Sequence, residues 1–165
     1  MTPAYDIATA TPDDIPGILA LQEPNLPDNG GSLSVRQSAA WFEHAMLDMP
    51  LIVARRDGAV VGYMVSASLA AKKHIAIIQA LLRSFPAPPD CYSYGPVCVA
   101  ESERGNGLAG LMFEKLRAQL PGRPAMTFVR SDNAASLRAH EKMGMRVLGE
   151  FTEAGERYSA LAYKP

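Results

Sequence analysis

Glu103-Arg104-Gly105-Asn106-Gly107-Leu108-Ala109-Gly110 is the stretch on which the reading of the fold turns. An apolar run, Pro96-Val97-Cys98-Val99-Ala100, leads into it. A helical pattern leads out, with Leu108, Leu111, Met112, Leu116 and Leu120 on one face. Strand, glycine-rich turn and helix in that order aim several backbone N–H groups at one point. The first N–H groups of a helix lack intrahelical partners and carry partial positive charge, so such a turn cradles phosphate. Gly105 and Gly107 permit dihedrals and close approaches that a side chain blocks. Arg104 adds a guanidinium that forks onto phosphate oxygens. The stretch predicts a ligand carrying a pyrophosphate and leaves its identity to the rest of the chain.

Composition narrows the choice. The chain has 165 residues, 48% hydrophobic and 20% charged, which suits one globular domain over residues 1–165 with a sizeable core. Net charge is -1 without a block of like charges, so the basic face that a nucleic-acid partner needs is missing. The apolar runs fall short of a membrane span, and residues 1–10 lack the basic-then-apolar order of a secretory signal. Cys91 and Cys98 make neither a disulfide framework nor a four-ligand zinc site. The expectation is a reduced, cytoplasmic setting, with no metal, membrane or nucleic acid.

Working outward, residues 5–8 read as a first strand. Thr11 reads as an N-cap before Pro12, Asp13 and Asp14, opening a helix that turns Ile15, Ile18, Leu19 and Leu21 inward. Residues 24–34 hold prolines, glycines and asparagines and read as a loop. Ser34 is the expected cap of a second helix through Trp41, Phe42 and Met46 to about Asp48. Residues 51–55 and 60–68 are β-branched runs around Asp57-Gly58, a hairpin signal. Residues 72–85 read as a helix with Ile75, Ile78, Leu81 and Leu82 on one face. A strand at 91–100 precedes the glycine turn and its helix, which Pro121 and Gly122 stop. A strand at 125–129, a short helix at 133–143 capped by Asp132 and ended by Gly144, and two strands at 145–151 and 157–163 complete the order β-α-α-β-β-α-β-α-β-α-β-β. The expected class is α/β (α+β): a mixed, mostly antiparallel sheet of six to seven strands with helices on both faces.

Two frames fit the glycine turn. Gly105-Asn106-Gly107-Leu108-Ala109-Gly110 satisfies the dinucleotide fingerprint, with Arg130 near the position of a 2′-phosphate contact. That fingerprint normally opens several further βα units, and only a strand, a helix and a hairpin follow here. The NADP reading is therefore a remote one, and no Lys-Ser or Lys-Thr pair supports a P-loop. In the other frame, Arg104-x-x-Gly107-x-Ala109 resembles the acyl-CoA signature of the GCN5-related N-acetyltransferases (GNAT). Downstream, the run from Asn133-Ala134-Ala135-Ser136 through His140-Glu141-Lys142-Met143-Gly144-Met145 resembles that family's Asn-x-x-Ser/Ala helix and its x-Lys-x-Gly-Phe ending. The element order is similar throughout.

The resemblance implies a GNAT-like fold binding acetyl-CoA and moving its acetyl group to a primary amine by direct attack in a ternary complex. It implies that the backbone of Val97, Cys98 and Val99 pairs with the pantetheine arm, with the Val97 N–H at the oxyanion. It implies that Arg104, Gly105, Asn106, Gly107, Leu108 and Ala109 hold the pyrophosphate, that Asn133 and Ser136 lie along the arm, and that His140 stands where relatives place a Tyr acid. As an imidazolium, His140 would donate to the leaving thiolate. For the base, Ser93 falls near the position of a Glu in some relatives, and Tyr92, Tyr94, Glu23 or an ordered water remain open.

Plainer readings stand beside these. His140 as a surface or capping residue is as consistent with the sequence as a catalytic one. Cys98 reads as a small buried side chain, and Trp41, Phe42, Met112, Met126, Met143 and Met145 read as core. The acceptor walls implied by the resemblance are residues 24–34, 70–90 and 152–156, the least patterned parts of the chain. Glu23, Asp28 and Asp90 fit a cationic amine and fit solvated loops equally. The expected partners are acetyl-CoA and an unidentified amine, with a homodimer left open. A non-catalytic acyl-CoA sensor is the second function class.

Overall fold

The computed structural model describes residues 4–31, 33 and 35–165. Seven strands form one sheet: β1 (Asp6–Thr9), β2 (Leu51–Arg56), β3 (Ala59–Ser68), β4 (Tyr92–Val99), β5 (Ala125–Arg130), β6 (Arg146–Glu153) and β7 (Glu156–Tyr163), in the order β1-β2-β3-β4-β5-β7-β6. The helices are α1 (Ile15–Gln22), α2 (Ala39–Asp48), α3 (Leu69–Lys72), α4 (Ala76–Ser84), α5 (Leu108–Gln119) and α6 (Ala134–Lys142). The pairs β1 with β2, β2 with β3, β5 with β7 and β6 with β7 are antiparallel. β4 and β5 are parallel, because α5 carries the chain back across the sheet between them. The mixed, mostly antiparallel sheet expected from the sequence is present.

Backbone packing resolves two compact units, Met1–Ser66 with Gly95–Gln119 and Ala67–Tyr94 with Leu120–Pro165. In the first, the period of two decides which face each strand residue covers. Leu51, Val53, Tyr63 and Val65 join Ile15, Ile18, Leu21 and Phe42 of α1 and α2 in one core cluster, with Trp41 edge-on to Phe42 at 5.1 Å. The alternate face meets α5. A Cβ on Gly62 would lie 3.1 Å from Met112 Cε and 3.2 Å from Leu108 Cδ2, so glycine is what lets α5 approach the sheet. α5 buries Leu108, Met112, Phe113 and Leu116, roughly 1.5–3 kcal/mol each relative to exposure. Leu111, expected on that face, is 38% exposed. The 100° step per residue places Phe113 inward instead.

Local chemistry explains the element boundaries. Asp57 and Gly58 have φ of 52° and 81°, the pair of positive values that a two-residue hairpin turn of matching twist requires. Ala154 and Gly155 repeat this between Glu153 and Glu156. Pro12–Asp14 is a 3-10 turn before α1, and the Thr11 N–H donates to Asp14 Oδ2 at 2.9 Å. The expected cap Ser34 lies outside the described residues. α2 begins later, at Ala39, because Ser38 Oγ accepts from the Trp41 N–H. The helix expected over 72–85 is the shorter α4, which starts after an extended Ile75, and α3 precedes it over Leu69–Lys72.

In the second unit, α4 lays Ala80 and Leu81 against Met126, Phe151 and Ala160. Phe85 crosses Gly149, where a Cβ would come within 2.9 Å of the ring. Met126, Met143 and Met145 are buried, as Met112 is in the first unit. Among the described residues no helix is long and apolar enough to cross a membrane, and no group of His, Cys, Asp and Glu side chains is placed to hold a metal.

Candidate active site

The glycine turn belongs to the first unit. Glu101–Glu103 forms a 3-10 turn, Arg104 is extended, Gly105 and Gly107 have φ of 84° and 74°, and α5 starts at Leu108. The first helical hydrogen bond runs from the Leu111 N–H to the Gly107 carbonyl at 3.1 Å. The N–H groups of Leu108, Ala109 and Gly110 therefore precede the ladder and have no helical acceptor. Residues 104–107 are exposed, and a Cβ on Gly105 or Gly107 would meet no atom within 4 Å. Open space over a run of helix-start donors fits a pyrophosphate by donor chemistry and by charge.

Two arrangements brace this turn, and neither was legible in the sequence. Glu103 is buried at 5% exposure. It accepts from the Tyr5 hydroxyl at 2.6 Å and from Arg56 Nη1 at 2.8 Å. The Tyr5 bond first, and then Arg56, hold its carboxyl below the ordinary range against the cost of desolvation. The same Tyr5 oxygen accepts from Asn106 Nδ2 at 3.1 Å, so a turn residue is tied to a buried carboxylate through one phenol. Arg104 is tied separately: its Nη2 donates to Asn25 Oδ1 at 2.7 Å. Tyr5, Arg56 and Asn25 sit 47 to 101 residues from the residues they brace, and no local pattern marks such a pairing.

In β4, Cys98 is buried in the first unit's core beside Tyr63, while Val97 and Val99 are half-buried. Burial pushes the Cys98 thiol up to about 11, which leaves it protonated and inert near neutrality. Pro96 has no N–H to give a ladder.

The helix singled out downstream belongs to the second unit. Asn133, and not the expected Asp132, is the N-cap of α6: its Oδ1 accepts from the Ser136 N–H at 3.1 Å, and Asp132 instead pairs with Arg130 at 3.2 Å. His140, at 9% exposure, faces inward. Its Nδ1 lies 2.7 Å from the Ser136 carbonyl and 3.4 Å from Ser136 Oγ. A carbonyl only accepts, so Nδ1 carries a proton and neutral His140 keeps its lone pair on Nε2. Desolvation lowers the imidazole below its ordinary 6.5, the Ser136 bond opposing it in part. The ring stacks on Tyr94 at 5.7 Å, and the Tyr94 hydroxyl donates to Met145 Sδ at 2.9 Å. His140 therefore rests neutral, an acceptor at Nε2, where the sequence reading had it as an imidazolium donor.

Among the base candidates, Glu23 is held by Arg36 through two bonds, at 2.8 and 3.0 Å, on an exposed loop. Tyr94 is buried, and burial raises its hydroxyl well above the ordinary value. Ser93 is buried at 7% exposure on β4, beside Tyr92. The first unit holds the glycine turn expected to bind phosphate, and the second holds the helix of Asn133, Ser136 and His140.

Comparison with known proteins agrees with this anatomy. The sequence matches the acetyltransferase (GNAT) family over residues 15–145. No curated protein matches it. Among solved structures, an N-acetyltransferase from Staphylococcus aureus Mu50 is similar at 20% identity, with 98% of each chain covered and a TM-score of 0.73. A ribosomal-protein-alanine N-acetyltransferase from Brucella melitensis is similar at 21% identity, covering 97% of this chain and 99% of that one, with a TM-score of 0.72. The Salmonella typhimurium protein yncA, solved with its cofactor acetyl-CoA, is 21% identical over 98% of this chain and 94% of its own, with a TM-score of 0.71. The turn, the downstream helix and the sheet order thus meet in one conclusion: the chain belongs to the acetyltransferase (GNAT) family, whose acyl donor is acetyl-CoA.

Proposed function

We propose that this protein transfers the acetyl group of acetyl-CoA to a primary amine of a small molecule or peptide, by direct attack with both substrates bound. The observation that carries this reading is the open turn from Arg104 to Ala109, with its helix-start donors, in a chain that also holds a neutral His140 oriented by Ser136. Arg104, Gly105, Asn106, Gly107, Leu108 and Ala109 bind the pyrophosphate. The backbone of Val97, Cys98 and Val99 pairs with the pantetheine arm, and the Val97 N–H steadies the carbonyl oxygen as negative charge develops there. Asn133 acts by capping α6, which fixes Ser136 and through it the tautomer of His140.

Acetyl-CoA supplies an activated acyl group. As the amine nitrogen bonds to the acyl carbon, the carbon–sulfur bond breaks and one N–H proton must leave. His140 takes that proton at Nε2, and the resulting imidazolium returns it to the departing sulfur, so that amide and thiol form with no net change at the histidine. Holding both reactants together supplies much of the rate. A neutral resting His140 suits this exchange better than a fixed acid, since it begins with a vacant acceptor.

Calorimetry with acetyl-CoA and NADP, followed by turnover against a panel of amines, tests the reading. The expected result is acetyl-CoA binding without NADP binding, and acetylation of at least one amine. NADP binding in place of acetyl-CoA overturns it. Acetyl-CoA binding with no acetylation of peptide N-termini, polyamines, amino acids or aminoglycosides assigns the protein to the non-catalytic sensor class instead.

A further inference from the structure

Asn25 is an unusual residue for a loop. It is 6% exposed, and both ends of its amide are used: Nδ2 donates to the Leu21 carbonyl at 2.9 Å, and Oδ1 accepts from Arg104 Nη2 at 2.7 Å. The assignment of the two ends is forced, because a carbonyl only accepts and a guanidinium only donates. The backbone of the same residue is committed as well. Its carbonyl accepts from the Leu33 N–H at 3.0 Å, and a Cβ on Gly31 would fall 1.9 Å from that oxygen. Asn25 is thus a rigid fixture between the end of α1 and the loop that follows, and the group it presents outward is an acceptor for Arg104.

We propose that Asn25 is a positioning residue for the acyl donor: it pre-orients the Arg104 guanidinium over the phosphate turn. This rests on reading that turn as the pyrophosphate site. An exposed arginine samples many rotamers, and a ligand that must freeze them loses affinity. Bonding one of five N–H groups to a buried amide removes most of that freedom beforehand and leaves the other donors for phosphate oxygens. The bond also ties the phosphate turn to the end of the segment after α1.

The test compares acetyl-CoA with acetyl-pantetheine, which has the thioester arm and lacks the nucleotide and pyrophosphate. Affinities are measured by calorimetry for wild type, Asn25→Ala, Arg104→Ala and the double variant. Asn25→Ala is expected to weaken acetyl-CoA by about fivefold to tenfold, the effect of freeing one flexible side chain, and to leave acetyl-pantetheine unchanged. In the Arg104→Ala background it should have no further effect. Asn25→Gln keeps the amide and shifts it by one methylene, so it serves if alanine does not fold, with the same expected dependence on Arg104. Wild-type acetyl-CoA affinity in these variants overturns the proposal, as does equal loss of both ligands, or an undiminished effect without Arg104. If wild type itself binds no acetyl-CoA, the reading of the turn falls and this inference with it.

Discussion

At the scale of single residues, the proposed proton exchange rests on His140. Burial lowers its pKa, and the Ser136 carbonyl fixes the proton on Nδ1. Protonation at Nε2 fills the acceptor that the exchange needs, so activity should fall as pH drops through a value below 6.5. His140→Phe is expected to lower kcat by roughly 10²-fold, the low end for acid–base catalysis, with the KM for acetyl-CoA little changed and the acidic limb of the pH–rate profile gone. Wild-type kcat with an intact acidic limb would assign the proton exchange to another group. The position of this residue was legible because a short helix with a matching ending follows the glycine turn at a fixed spacing. Its protonation state was not. That depends on burial, to which Tyr94 of β4 contributes by stacking on the ring, and burial does not follow from the helix sequence. Asn25, Tyr5 and Glu103 were missed for the same reason: each acts on a residue far away in the chain.

At the scale of elements, the sequence is informative where a local rule acts. Both two-residue hairpin turns, at Asp57-Gly58 and Ala154-Gly155, have a positive φ pair, which Asp-Gly suggests and alanine does not. All seven strands lie within a few residues of their expected positions. The misplacements fall where two local solutions compete. Ser34 and Ser38 both precede the second helix, and Ser38 caps it. Asp132 and Asn133 both precede α6, and Asn133 caps it. The glycine turn itself gives an element-scale prediction. Gly107 has φ of 74° and a Cβ there would meet no atom within 4 Å, so the main cost of Gly107→Val is a conformation that a β-branched residue resists. Stability should fall by about 1–3 kcal/mol. The turn should reorganise enough to abolish measurable acetyl-CoA binding, since its donors are set by these dihedrals. A folded Gly107→Val protein with unchanged affinity in calorimetry would move the phosphate site elsewhere.

At the scale of the whole molecule, each unit holds a buried titratable group, and together these shape stability against pH. In the first unit, Asp14 accepts two bonds from Arg55, at 2.8 and 2.7 Å, while Arg55 also reaches Asp6 at 2.7 Å. The Arg55 bonds depress the Asp14 carboxyl below its ordinary 3.8. A depressed acid contributes stability that is complete above the unfolded pKa and is lost as pH falls through the folded one, so the Asp14 contribution is present above about pH 4 and declines below it. Glu103, also depressed, adds to the same limb. In the second unit, His140 is depressed from 6.5. Its unfolded form binds a proton first as pH falls, so its contribution is complete above 6.5 and declines below it. Thermal melts across pH should therefore show a plateau between about pH 7 and 9, bounded above by the raised Cys98 thiol and Tyr94 hydroxyl, a shallow decline beginning near 6.5, and a steeper one below 4. Asp14→Asn should lower stability by about 2 kcal/mol at pH 7, the range for hydrogen bonds to a charged group, or about 4–8 °C in Tm for a chain of this size. Its difference from wild type should shrink below pH 4, where wild-type Asp14 is protonated as well. His140→Phe should flatten only the shallow decline. A variant curve parallel to wild type at every pH would mean that the substituted group does not titrate with folding.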